Sequence, residues 1–106
     1  MKETKIYIGL NDSDTKTQKF ATDKYKSLLK KVCYQYHTSF SVSVLEGGYF
    51  SADGGFTDES SLILTLIDVE DEIVEAIARD LCAFFHQESV LVTESPVKAV
   101  YIHEEL

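Results

Sequence analysis

The segment "SFSVSVLEGGYFSADGGFTDESSLILTLI", residues 39–67, decides the fold. Its first part alternates Phe40, Val42 and Val44 with Ser39, Ser41 and Ser43, a period of two that no helix explains, and from about Ser60 to Ile67 a second strand pattern follows. Between them "LEGGYFSADGGFTDESS", residues 45–61, holds two glycine pairs, three aromatics and four carboxylates. A phosphate cradle needs a glycine loop that opens a helix, normally closed by Lys-Ser/Thr. Here Phe56, Thr57, Asp58 and Glu59 follow Gly55, and their negative charge repels phosphate. The segment is therefore a hairpin connection, with Gly47-Gly48 expected as a bulge and Asp53-Gly54-Gly55 as the turn, where positive φ costs glycine little.

Toward the N-terminus, "TKIYIGL" at 4–10 alternates Ile6, Ile8 and Leu10 with Tyr7 and Gly9, a half-buried strand. The polar run Asn11-Asp12-Ser13-Asp14-Thr15 supplies turn and cap chemistry. From about 17 to 37, Ala21, Tyr25, Leu28, Leu29, Val32, Cys33 and Tyr36 recur at helical spacing. Toward the C-terminus, Asp68 precedes Glu70, Asp71 and Glu72, and an apolar stripe of Ile73, Ile77, Leu81, Phe84 and Phe85 predicts a second helix that ends near His86. The tail "ESVLVTESPVKAVYIH" reads as strand, break, strand, with Pro96 either kinking one long edge strand or separating two short ones. The order predicts an α+β, ferredoxin-like βαββαβ sandwich: a four-stranded antiparallel sheet, two helices on one face, and a last strand open to a split at Pro96.

A length of 106 residues fits a single domain over 1–106, and 44% hydrophobic residues with twelve Phe and Tyr place the chain among globular proteins. The N-terminus carries no apolar stretch of leader or membrane-spanning length, so a cytoplasmic protein is expected, with Cys33 and Cys82 reduced. Residues 1–31 hold eight Lys against four acids, and residues 32–106 hold two basic residues against fourteen acids. That acidic excess disfavours direct nucleic-acid contact and favours a basic partner.

The stretches "IYIGL" at 6–10, "ESSLILTL" at 59–66, and "QESVLV" followed by "PV" within 87–97 carry a resemblance over nearly the whole chain. The chain resembles a family of small uncharacterised bacterial ferredoxin-like domains of unknown function. The resemblance implies the fold and supplies no catalytic residues.

Two Cys-x-x-x-His pairs, Cys33 with His37 and Cys82 with His86, each put two ligand types on one helix face, and a shared Cys₂His₂ zinc site is the sharp reading. Packing and helix ends explain them better, because both cysteines fall on or beside apolar stripes and the short Cys-Cys knuckle spacing is missing. No metal and no cofactor are expected. Glu70, Asp71, Glu72 and Glu75 read as a solvated helix start and His103 as exposed, so no catalytic residue is assigned. Lys19, Lys26 and Lys30 trace a polar helix side. The open sheet face offers Tyr7, Ile63 and Ile67 as an apolar patch, the expected interface of a homodimer.

Tyr49, Phe50 and Phe56, rimmed by Glu46, Asp53, Asp58 and Glu59, form the expected partner-binding site. The leading expectation is a non-enzymatic acidic interaction protein that occupies a basic macromolecular surface, such as a nucleic-acid-binding effector, in the manner of a phage or mobile-element inhibitor. It is similar to anti-CRISPR proteins in size and charge. The alternative is a small-ligand-binding or enzymatic ferredoxin-like dimer with a pocket between sheet and helices.

Overall fold

A computed structural model describes residues 1–105. The elements are β1 (Lys2–Gly9), α1 (Thr22–Gln35), β2 (Ser41–Phe50), β3 (Phe56–Ile67), α2 (Asp71–Phe84) and β4 (Leu91–Pro96). They build one antiparallel sheet in the order β2-β3-β1-β4, the ferredoxin-like arrangement the sequence predicts.

Alternation decides which face the helices cover. The register sets Val42, Leu64, Ile6 and Val92 in one row across the four strands, and Leu62 pairs Ile8 in the next row of that face. Ile6, Ile8, Leu62, Leu64 and Leu66 are fully buried. They meet Tyr25, Leu29, Val32 and Cys33 of α1 and Val74, Ile77, Ala78 and Leu81 of α2, which places both helices on this face. Truncating a side chain in this row, as in Leu64→Ala, costs about 2–5 kcal/mol. Thr4 shares the face, buried, and its Oγ1 has no hydrogen-bond partner among the described residues. Among the described residues no helix is long and apolar enough to cross a membrane.

Four local expectations are corrected. Helix α1 begins at Thr22 rather than near residue 17, because Asp12 Oδ1 accepts the N–H groups of Asp14 and Thr15 and Asn11 bridges Gln18, folding residues 11–18 into a loop. The N-cap of α2 is Glu70, while Asp68 takes a left-handed φ of 54° and donates its N–H to the Lys2 carbonyl. Gly47 and Gly48 make no bulge: they pair Glu59 and Asp58 in continuous register. Gly48 is needed for space, since a Cβ there would lie 2.3 Å from the Phe56 ring. Lastly, β4 stops at Pro96 and no second strand follows through residue 105. Proline offers no N–H to a ladder, and the chain leaves the sheet with Val97 N–H bonded to the Met1 carbonyl.

Beyond the core the β2–β3 hairpin runs on as a paired ribbon to the Phe50↔Phe56 rung. The expected turn is present: Gly54 adopts φ 88°, and Asp53 Oδ1 accepts the Gly55 N–H and the Ser51 hydroxyl. Those bonds hold the Asp53 carboxyl below its usual range, the Ser51 hydroxyl contributing most.

Candidate functional site

The end of β1, the loop after it, the base of the hairpin and the C-terminal end of α2 converge on Asn11 and Glu59. Leu10 N–H continues the sheet to the Ser60 carbonyl. Asn11 then turns away, donating its backbone N–H to Glu59 Oε2 at 3.1 Å and its side-chain amide to the Asp58 carbonyl at 3.0 Å. The Glu59 carboxylate lies over Gly9, where a Cβ would come within 2.6 Å of Oε2. From the turn that follows α2, Gln87 donates its amide to the Asn11 carbonyl at 2.7 Å and the His86 carbonyl accepts the Ser13 N–H at 3.0 Å.

Two hollows flank this junction. One, of about 200 Å³, is lined by Asn11, Asp12, Ser13, Lys16, Tyr49, Glu59, Gln87, Glu88 and Ser89. The other, of about 400 Å³, shares Asn11 and Glu59 and adds Gln18, Glu46, Gly47, Asp58 and Ser60. Five carboxylates and one lysine line the pair, so the cleft is acidic and suits a cationic or hydrogen-bond-donating ligand. It lies at the end of the sheet rather than between sheet and helices, and its lining is polar.

The residues expected to bind a partner divide in two. Glu46, Tyr49, Asp58 and Glu59 line the hollows. Phe50, Asp53 and Phe56 stand at the hairpin tip, with the two rings edge to face at 5.0 Å and largely exposed. On the open sheet face Tyr7 pairs Ile63 and Leu91, while Ile67 lies four residues farther along β3, opposite Glu3.

The Cys-x-x-x-His pairs do not converge. Cys33 is buried, and desolvation pushes its thiol up to about 11. Cys82 donates to the Gln87 carbonyl, His37 neighbours the Tyr34 ring, and His86 turns to Asp12 and Asp14. Two α2 carboxylates pair outward: Asp71 of the first turn with Lys2, and Glu75 of the second with Arg79 at 2.5 Å. Lys24 sits over the Phe20 ring at 3.7 Å and Lys19 reaches Asp12 at 3.3 Å.

Gly9, Asn11 and Gln87 complete the site and were not singled out by sequence reasoning. Asn11 was legible as turn chemistry only. The Gly9–Glu59 relation depends on strand register, which no local pattern encodes.

No protein-family model matches the chain, and no curated protein matches it. Similar solved structures are small proteins that share its fold, among them lyases from phage. A phage SAM lyase in the apo state superposes with a TM-score of 0.70 at 24% identity over 99% of this chain and 90% of that one. A phage SAM lyase in complex with S-methyl-5'-thioadenosine gives 0.68 at 23% identity over 89% and 79%. A DUF3240 family protein from Shewanella baltica gives 0.56 at 10% identity over 97% of both chains. At these identities the likeness speaks for the fold.

Proposed function

We propose that this chain binds a cationic sulfonium nucleoside, S-adenosylmethionine (SAM), in the acidic cleft and acts on it as a lyase. The observation that carries the reading is Glu59: half-buried, oriented by the Asn11 N–H, and set in a hollow with Tyr49 where Gly9 leaves room for its carboxylate. A ligand bearing an ammonium and a sulfonium gains from such a site, and the Tyr49 ring offers a face to the cation. The fold shared with phage SAM lyases along 99% of the chain supports the same reading. The reaction asks little of side chains. The sulfur leaves as a neutral thioether, and the substrate's own carboxylate can close on the carbon it leaves, so the cleft's task is to bind and orient. The reading belongs to a cytoplasmic protein, where that substrate is made.

Incubation of the purified protein with SAM, followed by chromatography, should release methylthioadenosine. Glu59→Gln should lower kcat/KM about 10- to 100-fold, the worth of a hydrogen bond to a charged group. S-adenosylhomocysteine, uncharged at sulfur, should bind more weakly. Absence of both product and SAM binding by the wild-type chain would sink the reading.

A second reading, the non-enzymatic acidic protein that docks on a basic macromolecular surface, is favoured by the hairpin tip, where Phe50 and Phe56 are 76% and 57% exposed. Phe50→Ala with Phe56→Ala would then weaken partner binding and leave SAM turnover untouched.

A further inference from the structure

Asp12, Asp14 and His86 form a group whose ligand atoms all lie within 4.8 Å of one another. Its hydrogen bonding assigns a role to each member. Asp12 is nearly buried, and Oδ1 accepts the N–H groups of Asp14 at 2.9 Å and Thr15 at 3.2 Å. Oδ2 accepts from the Lys19 ammonium at 3.3 Å and faces His86 Nδ1 at 2.7 Å. A carboxylate held by three other donors is ionised and can only accept, so Nδ1 carries the proton of that contact. In the neutral imidazole Nε2 is then a bare lone pair, and it faces Asp14 Oδ2 at 3.6 Å.

While the imidazole is neutral two acceptors therefore face each other; when it is protonated Nε2–H pairs with Asp14 instead, so proton and metal compete for one place. The gap is too long for a shared hydrogen bond. It matches a bridging metal ion, because bonds of about 2.0–2.2 Å at tetrahedral or octahedral angles set two ligands roughly 2.8–3.6 Å apart. An imidazole that donates its other N–H to a carboxylate is the arrangement in which histidine ordinarily binds metal. His86 also follows the C-terminal end of α2, where the helix favours positive charge.

We propose that His86 Nε2 and Asp14 Oδ2 bind one borderline divalent cation, Zn²⁺ foremost, with Asp12 as the outer partner that fixes the imidazole and water filling the remaining positions. The thiols take no part. With one imidazole and one carboxylate the site selects first-row transition ions over Mg²⁺ or Ca²⁺. It lies on the loop whose Asp12 and Ser13 line the smaller hollow, yet it does not depend on what occupies that hollow.

The test is calorimetric titration of Zn²⁺ into the chelator-stripped full chain, with ¹⁵N NMR of the imidazole rings. One equivalent should bind, with the metal-induced shift confined to His86 Nε2. Asp14→Asn and His86→Gln should each weaken binding at least about tenfold, and Asp12→Asn about 10- to 100-fold. Asp14 is exposed, so Asp14→Asn tests the site without threatening the fold. Affinity that survives Asp14→Asn but is lost in Cys82→Ser, or no binding at millimolar Zn²⁺, would overturn the proposal.

Discussion

Gly9 and Glu59 occupy one space: the carboxylate of Glu59 fills the position of the side chain that residue 9 lacks, and a Cβ on Gly9 would lie 2.6–2.9 Å from three of its atoms. The colliding group is the mobile end of a long side chain, so it can swing aside. Gly9→Ala should therefore leave the fold within about 1 kcal/mol of wild type while displacing the carboxylate. Thermal melts alongside SAM binding separate the two effects, and equal loss in both would show that Gly9 serves the backbone instead.

Thr4→Val should raise stability. The Thr4 hydroxyl is buried on the helix-facing side of β1 without a partner, and an unmade hydrogen bond of that kind costs about 1–3 kcal/mol. Valine keeps the shape and the strand preference. Urea denaturation is the check, with a midpoint that moves up.

The Lys2 ammonium reaches Asp71 at the start of α2 and Glu94 on β4. These partners, Asp71 most of all, raise the Lys2 pKa above its ordinary 10.5, and Lys2 lowers that of Asp71 below 3.8. The signs bound a window. For Asp71 the contribution is full above 3.8 and drains as pH falls below it; for Lys2 it is full below 10.5 and is lost as pH rises through the raised value. Lys2→Met should therefore lower Tm near neutral pH and converge on wild type at both extremes. Added salt should shrink the difference, since Lys2 is partly and Asp71 largely exposed.

Cys33 and Cys82 should differ in reactivity. Burial pushes the Cys33 thiol up to about 11, so it is not a thiolate at pH 8, while Cys82 is half-buried beside an apolar hollow between α2 and β4. A disulfide reagent should modify one cysteine of the native chain, removed by Cys82→Ser, and two after denaturation.

Self-association through the open sheet face is the remaining expectation. Tyr7, Ile63 and Leu91 stand in one row on that face. Light scattering should report a dimer that Ile63→Lys splits. An unchanged mass for the variant would move the interface elsewhere.

The fold was legible because its decisive signals are local. Ile6 and Ile8, or Leu62, Leu64 and Leu66, reveal a buried face two residues at a time, and of the expected α2 stripe Ile77, Leu81 and Phe85 are buried while Phe84 is exposed and Val74 takes a core place the stripe left out. What could not be read depends on contacts across the chain. Residues 17–21 look helical by composition, but the Asp12 carboxylate captures the preceding amides and delays the helix. Glu59 and Tyr49 could be picked out as an acid and an aromatic near a turn. Their place in a cleft with Asn11 and Gln87 follows only once Gly9 is aligned beside Ser61 and Gly47 beside Glu59.

From Gly47↔Glu59 to Phe50↔Phe56 the hairpin is a ladder of backbone hydrogen bonds with most of its side chains in water and none in the core. Amide exchange should therefore be graded along it, fastest at Ser51–Gly55 and slowing toward the rungs that join the sandwich, with opening free energies well below that of global unfolding. A tip that can fray and re-zip alone is also free to change in sequence alone: from Phe50 to Phe56 no substitution removes a core contact, so the tip can diverge while Gly48, Tyr49 and Asp58, tied to the ribbon and the cleft, stay with the sandwich beneath it.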